Sequence, residues 1–308
     1  MNLTRIISAS FIMLICVVLA QAQSDRTFVS AHGTDNTDCG SSNLPCRSFT
    51  FALTKTNAGG EVIAIDSGIY DNSPITITQS ATLTAAAGAH VELFSNGPSG
   101  IGIQVNASTS DTVVLRNLYV SGKLGGPTTV GIQGLRVGTL HIENCVVSGF
   151  DEGVSLGVNA SAQATIQDTI VRDCGLGIHA ASSAGILKVS IDHCRIQDSV
   201  NDGVFIFTRA RVTVRDSVAS GNGNAGFFVG GGELNLEHCE ASNNLQGVAA
   251  SGDSTSSGTA TVSNCIVTNN AQTGFAQIGI GVFHSLGNNT VRRNGANTSG
   301  TITVITAT

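Results

Sequence analysis

A chain of 308 residues with 41% hydrophobic side chains has apolar surface for one large core or two ordinary ones. Charged residues make up only 12% and the formal net charge is −6, which leaves no basic footprint for nucleic acid. The 37 glycines suit many tight corners around a narrow, uniformly filled interior.

Residues 1–22 read as a signal peptide. Arg5 supplies the positive start, Ile6 to Ala20 the apolar core, and Ala20-Gln21-Ala22 the small-residue cleavage pattern. The apolar run is short for a bilayer span, and Cys16 after Ile15 is a poor match to a lipoprotein site. No later stretch is apolar and long enough to cross a membrane, so the expected product is soluble and secreted or periplasmic. Of the seven cysteines left, Cys39 and Cys46 flank a polar loop, and export favours a disulfide between them.

Residues 23–60 predict a short strand at Thr27 to Ala31, a loop to Pro45, and a helix within Arg47 to Thr56 that Asn57 and Gly59-Gly60 terminate. The end of a stack of strands exposes edges and core side chains, so this helix is assigned as a cap. Glu61 to Asp66 opens the first coil. Ile75 to Thr78 and Ala81 to Ala85 continue it, and Ala89 to Phe94 and Ile101 to Val105 fit a second coil.

From Val113 a ten-residue unit recurs, best seen in LHIENCVVSG from Leu140 to Gly149. The other copies start at Val113, Ala164, Val189, Val212, Leu234 and Ala260. Their fifth residues stand at 117, 144, 168, 193, 216, 238 and 264, giving steps of 27, 24, 25, 23, 22 and 26. Such a period marks a solenoid. The first and third residues are apolar in all copies and the second and fourth mostly polar, the alternation of a half-buried strand. The fifth residue is Asn117, Asn144, Asp168, His193, Asp216, His238 or Asn264, types enriched at positive φ, so it is read as a left-handed bend into a second strand. A third strand opens on glycine, as at Gly153-Val154 and Gly203-Val204. Three strands per coil, stacked in parallel, predict an all-β fold: a three-sided parallel β-helix over residues 61–295, right-handed because crossovers almost always are. Residues 296–308 are read as a closing strand.

The opening FVSAHGTDNTDCG, PCRSFTFAL and GGEVIAIDSGIY resembles the amino-terminal signature of secreted pectate-lyase-like right-handed β-helix proteins. The resemblance implies that fold for nearly the whole mature chain, and implies that the bend column corresponds to the superfamily's asparagine ladder. It does not select an activity, because the fold carries lyases, hydrolases, esterases and adhesins alike.

Among the enzymes of this fold, polygalacturonase-like chemistry is excluded by the lack of a Gly-His-Gly motif. A methylesterase reading fails because Asp168 is a bend residue and the chain has no Trp. The strongest enzymatic candidate is a calcium-assisted lyase on an acidic glycan. There, carboxylates hold Ca²⁺ and a base removes a proton. The turn before the third strand offers Asp151, Glu152, Asp198 and Asp202 as ligand-binding candidates, with Asp173, Arg172 and the outward His179 as catalytic ones. The plainer reading is that turns favour Asp and Asn. Phe205 and Phe228 share an outward position on adjacent coils, a platform for a sugar or a pair that stacks on itself. The column Asp168, His193, Asp216 and His238 suits mutual hydrogen bonds, while Cys145, Cys194, Cys239 and Cys265 face inward as packing. No metal site is assigned, and Ca²⁺ is the one cofactor the enzymatic alternative calls for. The preferred reading is an exported, monomeric β-solenoid acting as a surface-recognition or structural module at the cell envelope, with a polysaccharide or another cell-surface component as its partner. Convergence of Asp151, Asp173, Asp198 and His179 in an open groove would favour the enzyme instead.

Overall fold

Each coil changes direction twice on a single left-handed residue. In the computed structural model, which describes residues 23–71, 74–95, 100–123 and 129–306, the seven bend residues from Asn117 to Asn264 all have φ between 47° and 59°. Five positions later comes a second column of bends: Asp173 and Asp198 at φ 54°, Asn243 at 58°, Asn269 at 57°, Arg293 at 58°, and glycines at 149 and 221. The segment read as a leader lies outside the described residues.

The strands between these corners pair in parallel with the coils before and after, forming three sheets of 12, 10 and 10 strands. Register is kept from coil to coil. Leu140 lies over Ala164, Ala164 over Val189, and Val189 over Val212. The result is a right-handed parallel β-helix of about 10 turns with almost no helix. Its core is a continuous column of inward Val, Ile, Leu and Phe side chains, from Val29 to Phe283.

Position eleven of the unit, one residue past the second bend, holds the feature that most constrains the interior. Asn222, Asn244 and Asn270 are 1–2% exposed there, and Asn294 continues the column. The Asn222 backbone N–H and Nδ2 both donate to Asn244 Oδ1, at 2.9 and 3.0 Å. Asn244 repeats this onto Asn270 Oδ1, at 3.0 and 3.1 Å, and Asn270 onto Asn294 Oδ1, at 3.0 and 2.9 Å. Each Nδ2 also donates to a carbonyl one coil back, as from Asn244 to Ala219 at 3.0 Å. The buried ladder is therefore here, not at the first bends where the resemblance implied it. At those bends only Asn144 to Asn117 and Asn288 to Asn264 join side chain to side chain. Asp168, His193, Asp216 and His238 make no side-chain hydrogen bonds to one another, because a bend at positive φ directs them into solvent.

The glycine that opens each third strand follows from the ladder and the second sheet. A Cβ on Gly203 would stand 2.8 Å from Asn222 Nδ2, and one on Gly177 2.3 Å from the Gly203 carbonyl. No side chain fits at this inner corner. Cys145 and Cys194 are buried at position six, and burial pushes their thiols up to about 11 and about 12, so they stay protonated and pack as small apolar groups.

The amino-terminal segment belongs to the stack. Ser24–Val29 is the outermost strand of the first sheet, paired with Thr56–Ala64. Its free edge is covered by the loop before the helix, through Phe28 N to Gly40 O and Ser30 N to Cys46 O, both 2.9 Å. Cys39 and Cys46 close that loop with a disulfide. The capping helix is one short turn, Phe49–Leu53, because Ser48 takes the N-cap and the loop carboxylate Asp35 accepts the Arg47 and Ser48 N–H groups. Asp71 accepts the Phe49 N–H at 2.9 Å. At the other end, Ala296–Ser299 and Thr303–Val304 extend two of the sheets as exposed outermost strands. Their backbones stay in register with Thr273–Gly279 and Val282–Ser285, so they extend the coil by a further partial turn.

Two predictions follow from burial. Asn244→Ala strips partners from four buried groups and is expected to cost about 3 kcal/mol in urea unfolding. Ser199, one coil before the ladder, has a buried Oγ with no partner, so Ser199→Ala is expected to be neutral or to stabilise by up to about 1 kcal/mol. Equal losses for the two variants would contradict the ladder's role. Burial pushes the Asp71 carboxyl up to about 6, against the Phe49 N–H bond. Because this lies above the unfolded value, the stabilising proton is bound at low pH and lost as pH rises through about 6. Asp71→Asn is expected to gain about 2 kcal/mol over the native chain at pH 8 and nothing at pH 4, measured as Tm against pH.

Candidate functional site

The third sheet turns its outward residues into one straight column. Successive register partners place Gln104, Gln133, Ser155, His179, Phe205 and Phe228 on six adjacent coils. Inward neighbours such as Val154, Ile178, Val204 and Phe227 are fully buried, which fixes the strand and hence the direction of each outward side chain.

At one end Gln104 Nε2 donates to Gln133 Oε1 at 2.9 Å. In the middle His179 Nδ1 lies 3.4 Å from Glu152 Oε2, both side chains about one-quarter exposed. The hydrogen bond from His179, working against burial, holds the Glu152 carboxyl below its usual range. His179 meets Phe205 edge-on at 5.4 Å. Phe205 then stacks on Phe228 at 5.4 Å with planes 4° apart, and on Phe207 at 6.0 Å with planes 14° apart. Phe228 is half-buried and packs against Ala225, Ala249 and Ala276. Phe207 remains 40% exposed, so the stack is anchored at one side and open at the other.

The acidic candidates do not converge. Asp173 and Asp198 occupy the second bend column, where other coils carry Asn, Gly or Arg, so backbone geometry accounts for them as it does for Asp168. Asp173 is also bound to Arg172, Nη1 to Oδ2 at 2.5 Å. Asp151 accepts the Thr129 N–H at 2.8 Å and returns its own N–H to Thr129 Oγ1 at 2.9 Å. Asp202 is 5% exposed, accepts from Asn224 Nδ2 and Ala225 N at 2.8 and 2.9 Å, and is shifted upward by burial. Asp151, Asp173 and Asp202 are engaged separately and the candidates form no cluster of ligand atoms, so these residues do not fit a shared Ca²⁺. The one three-residue cluster of metal-ligating types among the described residues is Asp35, Cys39 and Cys46, and its sulfurs are in the disulfide.

Two concavities lined by paired cations lie elsewhere. A cavity of about 640 Å³ sits beside the amino-terminal loop, where Lys55 Nζ donates to the Thr37 carbonyl at 2.7 Å and Arg26 pairs with Glu61 at 3.3 Å. A groove of about 440 Å³ crosses the first sheet, lined by Lys188, Arg211, Arg215 and Glu233. There Arg211 pairs with Glu233 and Arg215 with Glu237, at 3.4 and 3.7 Å, a solvated and largely self-neutralised face. The third-sheet column offers more specific chemistry than either. Sequence reasoning reached His179, Phe205, Phe228 and Glu152 but missed Phe207, Gln104, Gln133 and Ser155. The alternation in Val204-Phe205-Ile206-Phe207 places Phe207 on the face of Phe205; the glutamines precede the regular units and carried no signal.

A family model described as a right handed beta helix region matches residues 130–296, more than half of the chain. The crystal structure of pectate lyase Pel9A aligns with a TM-score of 0.61 and 17% identity, over 89% of this chain and 80% of that one. An alginate lyase from Paenibacillus sp. str. FPU-7 gives 0.65 and 15%, over 82% and 95%. The GH136 lacto-N-biosidase from Eubacterium ramulus gives 0.51 and 11%, over 91% and 68%. At such identities the likeness is one of fold. No curated protein sequence matches the chain. No helix among the described residues is long and apolar enough to cross a membrane.

Proposed function

The chain belongs to the right-handed β-helix family, and on that premise we propose that it is an exported, monomeric recognition module that holds a carbohydrate chain along the outer face of its third sheet. The observation that carries this is the half-open run of rings, His179, Phe205, Phe207 and Phe228, on a column otherwise built of Gln, Ser and Ala. Aromatic surface takes the apolar faces of sugar rings, and amide groups such as those of Gln104 and Gln133 take their hydroxyls. From Gln104 to Phe228 the column climbs five coil steps, about 24 Å, enough for a chain of several sugars. The names of the similar solved structures, pectate lyase, alginate lyase and lacto-N-biosidase, point the same way.

One observation favours an enzyme as the second reading. Glu152 and His179 form a carboxylate–imidazole pair beside the rings, an arrangement suited to proton transfer. The dispersed carboxylates weigh against the calcium-assisted form of that chemistry.

The test is electrophoresis through gels containing single soluble polysaccharides. At least one is expected to retard the protein, Phe205→Ala or Phe207→Ala to weaken retention at least tenfold, and Asp173→Gly to leave it unchanged. Retention by none, or retention indifferent to both phenylalanines, would refute recognition on this face. New reducing ends or unsaturated products that His179→Ala abolishes would establish the enzymatic reading.

A further inference from the structure

Among the described residues from Thr76 to Ala276 the outward positions of the third sheet carry one cation, Arg136, opposite Asn106 at the last position of its strand. The edge at which its strands begin is acidic. Asp151, Glu152, Asp173, Asp198 and Asp202 line it over three coils, against the single cation Arg172, which is bound to Asp173. At the opposite edge stand Arg136, where its strand ends, and Arg209, whose Nη1 donates to the Ser183 carbonyl at 3.0 Å. The cations Arg116, Lys188, Arg211 and Arg215 all project from the first sheet, on another side of the solenoid.

Resting on the reading that this face holds carbohydrate, we propose that it selects uncharged glycans and excludes polyuronates. A polyuronate laid along the column would bring a carboxylate to each coil or two. Along the column it would find Gln, Ser and Phe in place of cations, with like charge along one border and only Arg136 and Arg209 along the other. Desolvating a carboxylate without a partner is costly, and like charges set side by side across an interface cost several kcal/mol. An uncharged chain meets no such penalty. Its apolar ring faces match Phe205 and Phe207, and its hydroxyls match the Gln104–Gln133 amides. A polycation gains less than the number of acids suggests, because Arg172 offsets Asp173 and His179 faces Glu152, and the column itself gives it no carboxylate to pair with. The selection therefore works by exclusion, with hydroxyl and ring contacts supplying affinity for whatever carries no charge.

Retention is compared at low ionic strength in gels of hydroxyethylcellulose, xyloglucan and mixed-linkage β-glucan, of polygalacturonate and alginate, and of glycol chitosan. The expected result is retention by at least one uncharged polymer, sensitive to Phe207→Ala and at least tenfold stronger than by any charged one. Gln133→Lys, checked for native melting, is expected to add retention by polygalacturonate that fades as salt is raised. Retention by polygalacturonate, alginate or glycol chitosan that equals the uncharged polymers and falls with Phe207→Ala would overturn the selectivity while leaving the carbohydrate reading intact. Absence of any Phe207-sensitive retention would overturn the carbohydrate reading, and the selectivity with it.

Discussion

Backbone hydrogen bonds between coils hold this structure in a single register, and almost everything else follows from that constraint. Because each strand pairs in parallel with its counterparts one coil away, equivalent residues stack at roughly 4.8 Å intervals and become columns. A column is either a row of equal apolar side chains, a row of polar side chains that satisfy one another, or a row facing water. The asparagine ladder is the sharpest case of the second kind. From Asn244 to Asn294 each amide oxygen accepts two N–H groups of the coil before it, so a polar interior column has its hydrogen bonds met wherever its members repeat. Ser199 marks where that repeat stops, and its hydroxyl is the buried group left without a partner.

The same constraint decides which inferences from sequence hold. Inward positions and the first bends were legible because their chemistry is narrow: apolar residues at every second position, and Asn, Asp or His where φ is near 50°. The ladder was not legible as such, since Asn also suits turns, and position eleven looked like one more polar turn residue beside Asn243 and Asn269. The second bend column was hidden for a related reason. Asp173 and Asp198 share it with glycines, an arginine and asparagines, so no single type recurs. Their acidity suggested chemistry where backbone conformation was sufficient.

The three outer faces differ more than the core does. The first sheet presents charges that neutralise one another across coils, as Arg116 with Glu143 at 2.7 Å. The third presents amides and rings along its column, with carboxylates at one border, most of them tied to a neighbour, and Arg136 and Arg209 at the other. Long-range attraction of a charged polymer therefore has little purchase on the third face, whereas close contact with a chain of matching shape does.

In a repeat protein the functional residues are best sought where a column departs from its own pattern, because the pattern itself is explained by stacking. Asp168, Asp173 and Asp198 conform to their columns and need no further role. His179, Phe205, Phe207 and Phe228 do not conform. They stand between Ser155 on one side and Ala249 and Ala276 on the other, small residues that would satisfy the sheet equally well. Phe228 covers Ala225, Ala249 and Ala276, but His179, Phe205 and Phe207 add nothing to the interior column, and Phe207 stays 40% exposed. Among the described residues this is where the solenoid carries side chains its own folding does not require, and recognition is the use their shape and chemistry support.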